Sequence, residues 1–335
     1  MTQAGGSNPV MVYQNPPPRT GRIFFRVVFY LVLLVSLVLN GILIAALSGM
    51  AILTGGFAPG RVRQVVIRHG TPNKVAIIPI SGLISSATVQ QLRVDLRTIR
   101  HDAAIKALVL RVDSPGGGVT AADDCYHALR KLRGAKPIVV SMGALAASGA
   151  YYISMASQQI YAEPTTITGS IGVMMPGFQM TGLLNKIGVK PEFLTSKAAV
   201  WKEAGSPFSE FTPPVKAYLQ HLLDVDDARF ESIVQRGRGT RLKAPLAQVA
   251  NGKIFTARAA LRQGLVDHIG YLAAACQAAA KLARIAHPTI VELKAAPGLL
   301  NLLNVRSVLP APRLQISRRL LLDLARPRME YLYMP

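Results

Sequence analysis

The sequence predicts an α/β fold with a mostly parallel sheet, preceded by one transmembrane helix. Three observations carry this reading. Val75–Ile84, Ala107–Val112 and Ile138–Met142 are strand-length runs of Val, Ile and Leu, as parallel strands buried on both faces are. Between them, Thr88–Arg100 places Val89, Leu92, Leu96 and Ile99 at helical spacing, and Ala121–Leu132 does the same with Ala128, Leu129 and Leu132. Strands alternating with helices imply parallel pairing through crossovers. Residues 27–53 are almost continuously apolar, and no charge falls between Arg26 and Arg61.

The elements follow in order. Residues 1–26, with Pro16-Pro17-Pro18, form an N-terminal tail. Residues 27–53 would span about 40 Å as a helix, enough to cross a hydrocarbon core of about 30 Å. The stretch exceeds the apolar core of a cleaved signal peptide, so an uncleaved anchor is the preferred reading. Residues 54–73 read as a Gly/Pro-bearing linker, and residues 74–286 as one domain without internal repeats. Within that domain, Gln159–Ala162 is a further strand and Pro213–Val234 a long helix, with proline in its first turn. Leu272–Ile285 is an alanine-rich helix. Residues 287–335 form a basic extension with short apolar clusters between prolines. A partly ordered tail and a membrane-surface or subunit-docking segment both fit it.

Composition excludes several classes. The 335 residues carry 38 Lys+Arg against 17 Asp+Glu, a net charge of +21, yet half are hydrophobic. A wholly disordered chain would be far less apolar. Two cysteines build no disulfide framework. The basic charge forms no stripe and aromatics are only 6%, so no nucleic-acid partner is expected. A basic surface facing anionic lipid or solvent accounts for it. Orientation is not set by charge: Arg19, Arg22 and Arg26 precede the apolar stretch, and Arg61, Arg63 and Arg68 follow it.

Three Gly/Ser-rich stretches follow predicted strands. In Asp113-Ser114-Pro115-Gly116-Gly117-Gly118, glycines would let backbone N–H groups approach a ligand, but no phosphate-loop pattern is met. In Gly143–Tyr152, Ser148 stands among small residues before a helix-like run. A nucleophile and a simple helix cap both fit there. Thr168-Gly169-Ser170-Ile171-Gly172-Val173 is explained by turn chemistry alone.

Together these stretches resemble the signal peptide peptidase A family of membrane-bound serine proteases. Two further matches follow in order: Trp201-Lys202-Glu203-Ala204-Gly205-Ser206-Pro207-Phe208, and Asn251–Thr256 with Gly264-Leu265-Val266-Asp267. The resemblance implies a Clp/crotonase-type fold and a Ser–Lys dyad. By position, Ser148 is the nucleophile, Lys202 the general base, and Ser170 the group that aims the lysine. Gly116 or Gly117, with Gly149, would supply the oxyanion donors. It also implies hydrophobic peptide substrates such as remnant signal peptides, homo-oligomers with active sites near subunit boundaries, and no cofactor. The expected location is the bacterial inner membrane, single-pass, with the catalytic domain extracytoplasmic. A catalytically inactive scaffold on the same fold, or acyl-CoA chemistry, are the alternatives.

The chemistry makes a demand on the lysine. With a reference pKa of about 10.4 it must be held neutral to act as a base near pH 7, and a dry cleft would do that. Trp201 and Phe208 are the expected contributors to dryness. Clp-type proteases carry a catalytic histidine about 25 residues after the serine; Val173 stands there, and no histidine falls in a matching motif. No metal-ligand spacing occurs. Ala150 departs from the family, which usually has glycine there.

Overall fold

The computed structural model describes residues 20–53, 62–295 and 330–332. The expected tail before residue 20, residues 54–61 of the linker, and most of the basic extension lie outside the described residues. The chain divides into two compact units, Met1–Pro59 with Pro297–Val305, and Gly60–Ala296 with Arg306–Pro335.

In the first unit, α1 (Thr20–Leu53) is one helix of 34 residues. Its described side chains, Val27 to Leu43, are exposed apolar groups apart from Ser36, Asn40 and Gly41. Asn40 donates to the Ser36 carbonyl one turn back, at 2.7 Å. Among the described residues, no helix is long and apolar enough to cross a membrane.

The second unit is built on a nine-stranded sheet. Its first elements are β1 (Val62–Arg68), β2 (Thr71–Ser81), α2 (Ser86–His101), β3 (Ile105–Ser114), β4 (Gly116–Gly118) and α3 (Val119–Arg133). Next come β5 (Ile138–Ala147), α4 (Gly149–Ser154), β6 (Gln159–Ala162), β7 (Ile167–Gly169), α5 (Thr181–Lys186) and α6 (Pro213–Arg238). After a short 3₁₀ turn come α7 (Leu246–Val249), β8 (Ile254–Thr256), α8 (Ala257–Gln263), β9 (His268–Ile269), α9 (Leu272–Leu282) and β10 (Pro288–Ala295). A last strand, β11 (Glu330–Leu332), lies apart from the main sheet.

The sheet order is β1-β10-β2-β3-β5-β6-β9, with β7 beside the end of β5 and β8 beside β7. Every pair is parallel except β1–β10 and β7–β8. The expected α/β fold with a mostly parallel sheet is what forms. Strand alternation sorts the core into two layers. Ile78, Ile80, Leu108, Leu110, Val140 and Met142 pack with α2, α3 and α4 on one face. Val75, Ile77, Ala107, Val109 and Val139 pack with Ala275, Cys276 and Ala279 of α9 on the other. The strands read as continuous apolar runs because both faces are covered.

Two boundaries differ from expectation. Residues 62–68, read as linker, form β1, and residues 288–295, read as the start of the extension, form β10. β10 enters the sheet between β1 and β2, so the domain extends at both ends. Both strands carry exposed charge on one side, which hides them from a search for buried runs.

Candidate active site

The site forms where β5 ends and α4 begins. Ser148 connects the two in a conformation rare for a residue with a side chain, φ 54° and ψ −118°. Such strain of about 1–3 kcal/mol persists only where surroundings over-determine it. The surroundings are visible. The Ser148 N–H donates to the Gly169 carbonyl at 2.8 Å, and its carbonyl accepts the Tyr152 N–H at 2.9 Å. Tyr151 Oη donates to the Leu265 carbonyl at 2.8 Å and Tyr152 Oη to Asp123 Oδ1 at 2.6 Å, pinning α4. Burial pushes the Tyr151 phenol well above its ordinary value, so it stays a donor. Ser148 is 1% exposed, and its Oγ has no hydrogen-bond partner. A buried hydroxyl left unpaired costs about 1–3 kcal/mol, so fold stability does not explain it.

Ser170 is brought to the same place. Ala147 pairs with Gly169 in parallel register, so Ser148 and Ser170 follow directly from neighbouring positions. Ser170 also has positive φ, 50°, and its N–H donates to the Lys253 carbonyl at 2.8 Å. Gly169 at φ 88° could not carry a side chain, since a Cβ would stand 2.7 Å from the Phe255 ring.

The glycines lie beside the serine. β4 follows β3 directly, packs on α4, and is bracketed by Ile84: the Ile84 N–H donates to the Gly116 carbonyl and the Gly118 N–H to the Ile84 carbonyl. Gly117 is obligatory, because a Cβ there would collide with the Ile84 backbone. The Gly116 N–H is taken by Ser114 Oγ at 3.1 Å. Gly149, as the first residue of α4, has an N–H with no acceptor inside the helix.

Lys202 is placed differently. It is exposed at the start of a run of turns, its N–H donating to the Ala199 carbonyl, and no hydrogen bond joins it to Ser148, whose Oγ is unpartnered. Trp201 is 47% exposed and stacks on Tyr218 of α6 at 5.3 Å, and Phe208 is 39% exposed. The dry cleft expected around the lysine is therefore not enclosed within one chain. Phe178, Leu183, Ile187, Phe193, Leu194 and Val200 on the same 174–212 segment are also exposed.

His127, His268 and Asp267 have structural partners. His127 is exposed beside Asp123 and Arg229, and His268 lies against Tyr161. Burial would raise the Asp267 carboxyl, but hydrogen bonds and charge from Arg238, with Arg241, hold it below the usual carboxylate range. Among the described residues no group of His, Cys, Asp or Glu could hold a metal ion. Sequence reasoning missed the supports: Ser114, Asp123 and the carbonyls of Gly169, Lys253 and Leu265. All but Asp123 lie inside the motifs, but nothing in the residue types showed that they act as supports.

The profile of peptidase family S49 matches residues 130–286, and that of Clp protease residues 68–167. A protein of Synechocystis sp. with a provisional protease name is 38% identical over 226 residues, covering 68% of this chain and 80% of its own. An Enterococcus faecium protein provisionally named signal peptide peptidase SppA is 30% identical, covering 71% of this chain and 72% of its own. Protease 4 of Haemophilus influenzae is 33% identical over 67% of this chain, which spans only 37% of that larger protein. A solved mutant of the 1510-N membrane-bound stomatin-specific protease gives a TM-score of 0.44 at 16% identity, covering 67% of this chain and 99% of its own.

Proposed function

The chain belongs to peptidase family S49 and is a serine peptidase, and from that premise we propose that Ser148 is its nucleophile and Lys202 its general base. The observation that carries the first assignment is Ser148 itself: strained, enclosed, and with an Oγ committed to nothing. A hydroxyl held that way is free to give its proton to an incoming base and to attack a carbonyl. The Gly149 N–H, with a backbone donor of β4, would receive the oxyanion. Ser170, one register position away, would aim the amine of the base.

The lysine comes from a second copy of the chain. This reading is supported by the exposure of Lys202, by the unpartnered serine, and by the apolar side chains left open on the 174–212 segment. Closing that surface against a neighbour would enclose Trp201 and Phe208 and remove water from the amine, which favours its neutral form. The enzyme then works as a homo-oligomer.

Membrane anchoring is the third part of the proposal. It is supported by the uncharged stretch between Arg26 and Arg61 and by the exposed apolar side chains from Val27 to Leu43. An inner-membrane, single-pass enzyme with an extracytoplasmic domain would meet hydrophobic peptides, including remnant signal peptides, as they leave the bilayer.

One experiment tests the dyad and its geometry together. Ser148→Ala and Lys202→Ala chains are each inactive on unfolded casein, and co-refolding them restores activity, because mixed oligomers contain sites with both groups. Activity in Ser148→Ala alone, or labelling of another residue by a fluorophosphonate probe, removes Ser148 from the role. Inactive mixtures with both chains folded would place the pair within one chain.

A further inference from the structure

Asp113, which opens the first Gly/Ser-rich stretch, has no part among the catalytic groups. It stands where β5 changes partners. Val139–Met142 of β5 pair with β6, and Leu145–Ala147 pair with β7, whose register brings Ser148 and Ser170 to neighbouring positions. A bulge makes the change. Val112 of β3 pairs with Met142 and Ser114 with Ala146, so Asp113 alone faces Gly143, Ala144 and Leu145. Bulges bend a strand and re-aim the side chains that follow. Ser148 comes three residues after Leu145, at the end of the re-aimed run.

A bulge takes backbone groups out of the strand ladder, and each then needs another partner. Side chains supply them here. Thr166 Oγ1 donates to the Gly143 carbonyl at 2.6 Å and Thr168 Oγ1 to the Ala146 carbonyl at 2.7 Å, both from buried threonines. From β3, Asp113 Oδ1 accepts the Leu145 N–H at 3.1 Å. Gly143 lets that carboxylate lie against the bulge, since a Cβ there would stand 3.0 Å from Asp113 Cγ and Oδ2. The bulge is thus held from both neighbouring strands. Asp113 is exposed, so its hydrogen bond competes with water and adds little to folding. What it fixes is the path of β5 into the strained turn at Ser148.

We propose that Asp113 is a positioning residue for the nucleophile: its carboxylate clamps the β5 bulge and so sets where the Ser148 hydroxyl stands. The inference rests on Ser148 being the nucleophile. Asp113 touches neither substrate nor the reacting atoms; it acts through Leu145 and the strand behind the serine. Catalysis is more sensitive than folding to such a clamp, because a shift of about 1 Å at the reacting atom can cost about a hundredfold in rate. The hydrogen bond, not the charge, carries the effect, so an asparagine carbonyl should serve in its place.

The test compares Asp113→Ala with Asp113→Asn in the full chain, by casein hydrolysis, thermal unfolding and hydrogen exchange. Asp113→Ala should lower kcat by at least about tenfold with KM within about twofold of the parent. Its melting temperature should stay within about 2 °C of the parent. Asp113→Asn should recover kcat to within about threefold, because its side-chain carbonyl still accepts the Leu145 N–H. Exchange at the Leu145 amide should speed up in the alanine variant alone. Gly143→Ala, which crowds the carboxylate, should also lower kcat, and should cost little more once Asp113 is alanine, since neighbours on one contact are not additive. Parental kcat in Asp113→Ala, equal losses in the alanine and asparagine variants, or a loss of activity matched by a loss of folded protein would each overturn the proposal. If Ser148 is not the nucleophile, a fluorophosphonate probe marks another residue. If only the clamp is wrong, the probe labels Ser148 of Asp113→Ala at the parental rate.

Discussion

The two halves of the proposed dyad stand on unlike ground. Ser148 and Ser170 follow paired positions at the ends of β5 and β7, are at most 8% exposed, and are held by carbonyls of Gly169 and Lys253. Lys202 stands on turns within a segment that leaves Phe193, Leu194 and Trp201 open. One half is complete in a single chain, because sheet pairing and a packed core fix it. The other has local turns but no enclosure. The proposed base needs dryness, and a single chain leaves it exposed.

The comparison can be broken most directly through activity. Ser148→Ala should lower kcat by about 10⁴-fold, and Lys202→Ala by a similar factor, since residues acting as a unit fail together. Lys202→Ala should melt within about 2 °C of the parent and Ser148→Ala no lower than the parent, as checked by thermal unfolding alongside casein hydrolysis.

A second measurement probes the rigid half. Burial raises the Asp95 carboxyl on α2 to about 6, partly offset by the Gln91 hydrogen bond. The folded state thus binds this proton more tightly than the unfolded chain does. This group's contribution to stability should be most favourable below pH 4 and be lost as pH rises to about 6, with the full penalty present at pH 7. Asp95→Asn should remove that slope and gain up to about 3 kcal/mol at pH 7. Urea unfolding at pH 4, 5, 6 and 7 reads both effects.

Ser148→Gly should sharpen the contrast further. Glycine accepts positive φ and removes the unpaired hydroxyl, so the variant should be more stable by about 1–2 kcal/mol and inactive. A destabilised Ser148→Gly chain would mean that the hydroxyl has a hidden structural duty. Trp201→Ala should be the mildest change, within about 0.5 kcal/mol for the isolated subunit, because half of the ring is already in solvent. Its larger effect should appear in oligomer dissociation, followed by sedimentation against concentration.

What could be read from the residues divides along similar lines. β3, β5 and β6 announce themselves as apolar runs, and α2, α3 and α6 by spacing and by Pro213, because burial imposes those patterns. β1 and β10 pass unnoticed, since edge-side strands with Arg63, Gln64, Glu292 and Lys294 resemble linkers. β11, three residues long, has no period to detect. At the site, the small residues around Ser148 hint at a turn, but neither its φ nor the nearness of Ser170 can be deduced from spacing. Those depend on the β5–β7 register, a pairing between segments some twenty residues apart. Lys202 stands outside the core, against the enclosure expected of it, because tryptophan beside lysine reads as burial although Trp201 is 47% exposed.

The insertion of β10 between β1 and β2 has a consequence in time. A ribosome delivers residues 62–81 early, but the strand that joins them is not synthesised until residue 295. Until then Val75, Ile77 and the α9 face are missing Ile290, and one flank of the sheet is an open edge. Pairing across more than two hundred residues is slow and exposes apolar surface while it waits. A nascent chain can therefore assemble its central strands early, yet this flank of the sheet closes only once residue 295 has emerged.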